Sequence, residues 1–183
     1  MKSAVIVIDM LNEFVHGKRD EILIWPAQKK KLIPNIRKLI DIAHRKDIPV
    51  IYSNCSHTKT HPCVKIVGEH AMKGTKGAQI IPELKPAQKD KVVAKISYDG
   101  FYKTRLEKIL KQLKVNTVFL TGIQTDCCVR ETAVSAAYRG FNVYIIEDCC
   151  QSKRPGGHKT AIHFMKTCVG KVIKLSTFKR SIM

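Results

Sequence analysis

The sequence has no apolar run that approaches the roughly 20 residues needed to cross a membrane. Its beginning, MKSAVIVIDM, contains one lysine and a short apolar run, Ala4 to Ile8, without the cleavage region of a signal peptide. We therefore expect a soluble cytoplasmic protein in which this run forms a first buried strand.

Acidic residues are scarce, with 15 Asp and Glu against 33 Lys and Arg, and the formal net charge is +18. Such a charge can attract nucleic acid. The basic residues are scattered, however, and no helix-turn-helix, zinc-finger or RNA-recognition pattern accompanies them. A basic, solvated surface with only non-specific nucleic-acid binding is therefore the favoured interpretation.

The seven cysteines do not have the pattern of a disulfide framework. Their number is odd, and two pairs are sequence neighbours, Cys127 with Cys128 and Cys149 with Cys150. Free thiols in a reducing compartment are expected. Most free cysteines are small buried residues, so at most a few of the seven should carry chemistry.

Apolar segments typical of strands alternate with segments of helical periodicity. Four helices are predicted, at about 32–43, 102–113, 128–138 and 157–167, with Pro34 limiting how early the first one starts. Alternation of this kind predicts a parallel sheet with helices on both faces, in a single domain over residues 1–183. The six predicted strands are Ala4–Ile8, Ile48–Tyr52, Lys91–Ala94, Val115–Leu120, Val143–Ile146 and Val172–Ile173.

Three residues suited to catalysis follow the predicted strands at the edge where open parallel sheets bind ligands. Asp9 ends the first strand, Lys95 ends the third, and Cys128 follows the fourth at the start of a helix. Proton transfer from a free thiol to a free carboxylate costs about 6 kcal/mol. An ammonium and a helix start beside the sulfur would lower the thiol pKa, so Asp9 becomes a plausible base for Cys128.

Three separated segments, VIVIDMLNEF, AKISYDGF and GIQTDCCVRETAVSAAYRGF, resemble the signature segments of the isochorismatase-like cysteine hydrolases. That family includes nicotinamidases and N-carbamoylsarcosine amidases, and the resemblance extends from Met1 to about Ile173. It implies a three-layer α/β/α fold with a six-stranded, mainly parallel, Rossmann-like sheet. It also implies a homo-oligomer, either a dimer or a tetramer, with no organic cofactor.

The family pattern Thr-Asp-x-Cys-Val matches residues 125–129. The resemblance therefore implies that Asp9, Lys95 and Cys128 form the catalytic triad. It further implies a cis peptide between Ile123 and Gln124, with the N–H groups of Gln124 and Cys128 as the oxyanion hole. The expected reaction is hydrolysis of an amide or carbamoyl C–N bond through a thioester, because members that act on isochorismate generally lack the cysteine.

Nicotinamidases carry an Asp-x-His pair and a further histidine that bind a metal. The matching positions are Cys55, His57 and His70, within a long stretch between Ser53 and Lys91 that has weak periodicity. One thiolate and two imidazoles would suit Zn²⁺. In the other interpretation, Cys55 is a buried core residue and the two histidines lie on the surface.

Aromatic residues near the motifs, Phe14, Tyr98, Phe101 and Tyr138, could line a substrate pocket or belong to the core. The sequence does not identify the amide that is cleaved. A basic nucleic-acid-binding protein with a vestigial hydrolase site is kept as the alternative function.

Overall fold

The computed structural model describes residues 2–18 and 20–181. Within that part of the chain, six parallel strands form one sheet in the order β3-β2-β1-β4-β5-β6, with helices beside it, so the predicted fold class is confirmed. The strands are β1 Ser3–Ile8, β2 Val50–Cys55, β3 Lys91–Lys95, β4 Thr117–Ile123, β5 Asn142–Gln151 and β6 Lys171–Ile173.

The helices of the described residues include three that periodicity did not predict, α1, α3 and α7. None of these helices is long and apolar enough to cross a membrane. A 3₁₀ turn occupies Pro82–Leu84, and a π-helical turn occupies Thr125–Val129. The α-helices are α1 Asn12–His16, α2 Pro26–Arg45, α3 Pro62–Val67, α4 Leu106–Gln112, α5 Arg130–Tyr138, α6 Gly157–Cys168 and α7 Leu175–Ser181.

The centre of the sheet is β1, which pairs with β2 on one side and β4 on the other. Ala4 to Ile8 are all fully buried, as expected for a parallel strand that is covered on both faces. Gly122 allows β4 to approach the end of β1, because a Cβ there would lie 2.0 Å from the carbonyl oxygen of Ile8. Its φ of +115° also favours glycine.

Helix α2 begins at Pro26, so the prediction that Pro34 limits its start is wrong. Pro34 removes one helical hydrogen bond, but both Pro34 and Lys30 are exposed. The carbonyl of Lys30 that loses its partner can therefore bind water. Buried side chains along the other face, including Leu32 and Ile36, hold the helix against the sheet.

The strand boundaries differ mainly where the chain contains polar residues. The second strand begins at Val50 and continues to Cys55, although Ser53 and Asn54 are polar, because its backbone pairs with β1 and β3. The fourth strand likewise continues to Ile123 and the fifth to Gln151. Hydrophobic pattern alone underestimates strands whose polar side chains are buried near a site.

The predicted helix at 102–113 begins only at Leu106. The hydroxyl of Thr104 donates to the carbonyl of Gly100 at 2.6 Å and accepts from the N–H of Leu106 at 3.1 Å. This turn keeps the preceding residues out of the helix. The predicted helix at 128–138 is α5 with the π-helical turn before it.

Candidate active site

The structure brings Asp9, Lys95 and Cys128 together at the carboxyl ends of the strands. Lys95 Nζ lies 2.8 Å from Asp9 Oδ2 and 3.4 Å from Cys128 Sγ. All three side chains are buried, with 0% of Lys95 exposed. Asp9 follows β1, Lys95 ends β3, and Cys128 lies in the π-helical turn after β4.

A fourth residue, Cys55, completes this group, because β2 lies between β1 and β3 and Cys55 pairs with Lys95 in the strand register. The N–H of Cys55 donates to Asp9 Oδ1 at 2.7 Å, and its thiol lies 3.5 Å from Asp9 Oδ2. Lys95 Nζ donates to Cys55 Sγ at 2.8 Å. We call Asp9, Cys55, Lys95 and Cys128 the acid–thiol cluster.

The acid–thiol cluster contains one cation and three groups that can become anions. Burial lowers the pKa of Lys95, but the charge of Asp9, followed by those of Cys128 and Cys55, outweighs it and holds that pKa well above its usual value. The Lys95 ammonium therefore already balances the Asp9 carboxylate. A thiolate in the acid–thiol cluster would therefore share the Lys95 ammonium with the Asp9 carboxylate.

The pKa of Cys128 is raised, so the expectation that it is lowered is wrong. A hydrogen bond with Cys127 raises the pKa of Cys128 most, and burial adds to this, whereas the Cys55 thiol and Lys95 act in the opposite direction. The neighbouring Cys127 has a lowered pKa, through its hydrogen bond with Cys128 and the charge of Arg154. The raised pKa of Cys128 favours its thiol form.

The peptide between Ile123 and Gln124 is cis, as predicted. The turn that follows is anchored to α6 and to the segment before it: Thr125 Oγ1 lies 2.9 Å from Nδ1 of His158 in α6, and Asp126 Oδ1 accepts from Ser152 Oγ at 2.6 Å. These contacts hold the backbone that carries Cys128. The oxyanion hole from the N–H groups of Gln124 and Cys128 stays a prediction.

A cavity of about 310 Å³ opens beside Cys128. Phe14 and Tyr98 line it, in the position expected for pocket residues. The other lining residues are Asp9, Glu13, Asp20, Glu21, Leu23, Cys55, Val67, Glu69, His70, Gln124, Cys127, Cys128 and Arg154.

Two aromatic residues considered for the pocket do not line this cavity. Phe101 is buried in the core, where its ring stacks on Phe141 with centroids 5.9 Å apart and lies under the Arg139 guanidinium. Tyr138 is 87% exposed at the end of α5. Their nearness to a motif in sequence does not place them at the site.

A second group of possible ligands, His57, Cys63 and His70, has its ligand atoms within 4.8 Å of one another. We call it the histidine cluster. His57 is 1% exposed, and neither ring nitrogen has a hydrogen-bond partner among the residues that the structure describes. Nδ1 of His70 lies 2.7 Å from the carbonyl of Gly68, which leaves its Nε2 facing Cys63 Sγ at 3.9 Å.

The predicted metal-ligand set is therefore corrected in one member. Cys55 belongs to the acid–thiol cluster, because as the last residue of β2 it lies beside Lys95. Helix α3 instead brings Cys63 to the two histidines. The other interpretation, with both histidines on the surface, is wrong for His57, which is buried.

Comparison with known proteins places these features in context. The sequence model of the isochorismatase domain matches residues 3–177. The structure of N-carbamoylsarcosine amidase from Thermoplasma acidophilum is 35% identical with a TM-score of 0.87, and the alignment covers 96% of this chain and 97% of that one.

Two further relatives carry amidase names. The pyrazinamidase of Pyrococcus horikoshii, solved in complex with zinc, is 27% identical with a TM-score of 0.85, and the alignment covers 95% of this chain and 99% of that one. Nicotinamidase 3 of Arabidopsis thaliana is 26% identical over 188 residues, which covers 99% of this chain and 89% of the relative. These names agree with the prediction of a hydrolase that acts on non-peptide carbon–nitrogen bonds.

Proposed function

The chain belongs to the isochorismatase family, and from this premise we propose that it is a cysteine-dependent amidohydrolase of small molecules. Its substrate is an amide or carbamoyl compound, and its nucleophile is Cys128. The observation that carries the proposal is the position of Lys95 Nζ, in contact with both the Asp9 carboxylate and the Cys128 sulfur beside a cavity. The nucleic-acid alternative has no support from the relatives.

The first step is proton transfer from the Cys128 thiol to Asp9. Before the transfer, Lys95 balances the charge of Asp9; after it, Lys95 balances the charge of the thiolate. The net charge of the acid–thiol cluster does not change, so the step avoids the full penalty of creating a new buried charge. The raised pKa of Cys128 is compatible with this mechanism, because the proton moves only between two groups of the cluster.

The thiolate then attacks the carbonyl carbon of the bound amide. The N–H groups of Gln124 and Cys128 hold the oxygen as it gains negative charge. Asp9, now protonated, gives its proton to the departing nitrogen, and the thioester remains on Cys128. Water, activated by Asp9, hydrolyses the thioester and restores the resting enzyme.

The residues of the histidine cluster fit a zinc ion. Two imidazoles and one thiolate are ligands that Zn²⁺ prefers. The ring nitrogens of the buried His57 have no hydrogen-bond partner among the described residues, and a metal ion would bind one of them. His57, Cys63 and His70 would hold the metal, and His70 lines the cavity beside Cys128. When bound, the ion would supply a Lewis acid that can contact a nitrogen or carboxylate of the substrate.

The test is a screen for ammonia or amine release from nicotinamide, N-carbamoyl amino acids and ureido acids. We expect hydrolysis of at least one of these compounds by the wild-type protein, and no hydrolysis of it by folded Cys128→Ala. Turnover that survives in Cys128→Ala would overturn the proposed mechanism. The absence of turnover across all three classes would overturn the proposed substrate range.

A further inference from the structure

Two cysteines in the active site share one ammonium group. Lys95 Nζ lies 2.8 Å from Cys55 Sγ and 3.4 Å from Cys128 Sγ. The two sulfurs and the Asp9 carboxylate lie within 4.8 Å of one another, and both cysteines line the same cavity. Hydrolysis requires only one of these sulfurs, so Cys55 places a second thiol beside the nucleophile without a part in the reaction.

We propose that Cys55 and Cys128 form a reversible disulfide bond when a peroxide oxidises the active site. The inference rests on the proposed function, because it assigns a modification to the nucleophile of that site. A disulfide needs the sulfurs about 2.05 Å apart, so they must approach by less than about 3 Å. A change of side-chain rotamer moves a cysteine sulfur over a comparable distance.

Oxidation starts at Cys128. Its thiolate, formed when Asp9 takes the proton, attacks one oxygen of hydrogen peroxide, and the oxygen–oxygen bond breaks. Cys128 becomes a sulfenic acid, and the departing hydroxide takes up the proton to give water. The sulfur loses two electrons, which reduce the peroxide.

Cys55 then resolves the sulfenic acid. Its sulfur attacks the Cys128 sulfur, the sulfur–sulfur bond forms, and the sulfur–oxygen bond breaks. The hydroxide leaves with the proton of the Cys55 thiol as a second water. A small dithiol reverses the reaction by thiol–disulfide exchange. The dithiol is oxidised to its own disulfide, and Cys128 and Cys55 become free thiols again.

The position of Cys55 makes it a better partner for Cys128 than Cys127 is. Cys127 is adjacent to Cys128 in the chain, so their Cα atoms are about 3.8 Å apart, closer than the roughly 4.4–6.8 Å that a disulfide usually spans. Cys55 comes from a different strand, and contacts from its N–H to Asp9 and from Lys95 to its sulfur hold it against the nucleophile. A link between Cys55 and Cys128 also blocks further oxidation of Cys128 to the irreversible sulfinic acid.

The experiment treats the full-length protein with hydrogen peroxide, blocks the remaining thiols with N-ethylmaleimide, and maps the peptides by mass spectrometry without reduction. We expect a peptide pair joined through Cys55 and Cys128, and we expect dithiothreitol to restore both free thiols. In Cys55→Ser, Cys128 should instead carry sulfinic or sulfonic acid, and the share of Cys128 that dithiothreitol recovers should fall about tenfold.

The matched control is Cys168→Ser, which removes an exposed thiol outside the site and should oxidise as the wild type does. Mapping of the wild type needs no variant to fold, so it decides the proposal by itself. Oxidation of Cys128 that leaves Cys55 free, or a link from Cys128 to Cys127, would overturn the inference. Those results would leave the hydrolase intact, whereas an active Cys128→Ala would remove the hydrolase mechanism whatever the disulfide map showed.

Discussion

The acid–thiol cluster is buried throughout and the histidine cluster is buried at His57, but the two differ in how their buried polar groups are satisfied. In the acid–thiol cluster, Lys95 contacts Asp9, Cys55 and Cys128, and the N–H of Cys55 binds Asp9 as well. In the histidine cluster, both nitrogens of the buried His57 lack a partner among the described residues.

Among the described residues, the first cluster is therefore complete, whereas the second leaves His57 without a hydrogen-bond partner. A buried polar group without a hydrogen bond costs about 1–3 kcal/mol, so such groups are rarely left unpaired. Three members of the acid–thiol cluster lie at the ends of β1, β2 and β3, where the sheet register fixes their positions, and Cys128 comes from the turn after β4. The histidine cluster lies on the connection between β2 and β3, where a bound ion would give one of the His57 nitrogens a partner.

The largest expected effect is on catalysis in the complete cluster. Cys128→Ala should lower kcat/KM by at least about a thousandfold, because it removes the atom that forms the covalent bond. Cys127→Ala should retain most of the activity, since Lys95 contacts the sulfur of Cys128. Steady-state kinetics and circular dichroism of both variants provide the check, and equal losses in two folded variants would refute the assignment.

The next effect is on stability and separates the two clusters directly. Lys95→Ala leaves the buried Asp9 charge unpaired and should lower the free energy of unfolding by about 3–5 kcal/mol. Urea denaturation measures this, and Lys95→Met combined with Asp9→Asn should recover much of the loss.

In metal-free protein, His57→Leu removes two unpaired nitrogens and should leave the free energy of unfolding unchanged or higher. A larger loss of unfolding free energy in His57→Leu than in Lys95→Ala would contradict this comparison of the two clusters.

Metal binding at the histidine cluster should have an effect of intermediate size on the free energy of unfolding. We expect close to one Zn²⁺ per chain by elemental analysis, and chelation should lower the free energy of unfolding by about 2.7 kcal/mol when zinc was present at 100 times its Kd. His57→Leu should remove this stabilisation.

Cobalt substitution tests which cysteine is the ligand. The thiolate-to-cobalt absorption band should disappear in Cys63→Ser and persist in Cys55→Ser, because Cys63 is the sulfur grouped with the histidines. The opposite result would restore Cys55 as the ligand. A protein that binds neither zinc nor cobalt would show that the histidine cluster is no metal site.

The smallest expected effect concerns the order in which adjacent thiols react. A raised pKa leaves less thiolate at a given pH, so Cys128 should be alkylated by iodoacetamide at higher pH than Cys127, whose pKa is lowered. Lys95→Ala should shift the Cys128 profile to still higher pH, since Lys95 lowers that pKa. Peptide mapping after labelling at several pH values gives both profiles. If Cys128 were alkylated at lower pH than Cys127, its thiolate would already be stabilised before substrate binds.

The sequence was sufficient to predict the parallel sheet and the triad positions, because each depends on local pattern. Apolar strands are readable one at a time, and Asp9, Lys95 and Cys128 each follow a strand. The resemblance to the family also implied the cis peptide before Gln124.

The rest depends on contacts between distant segments. Cys55 joins Asp9 only because β2 lies between β1 and β3, and strand order is not visible in hydrophobic pattern. Cys63 reaches His70 through the short helix α3, which was hidden in a stretch of weak periodicity. The pKa of Cys128 differs from the prediction because the hydrogen bond with Cys127 and burial raise it, and neither is visible in the sequence.

The most direct test of the central claim is to stop the reaction with acid during turnover of an amide substrate and measure the mass of the active-site peptide. The account predicts that the acyl or carbamoyl part of the substrate is attached to Cys128, and that Asp9→Asn and Cys128→Ala show no such adduct. An adduct on Cys127 or Cys55, or hydrolysis by Cys128→Ala at the wild-type rate, would contradict it.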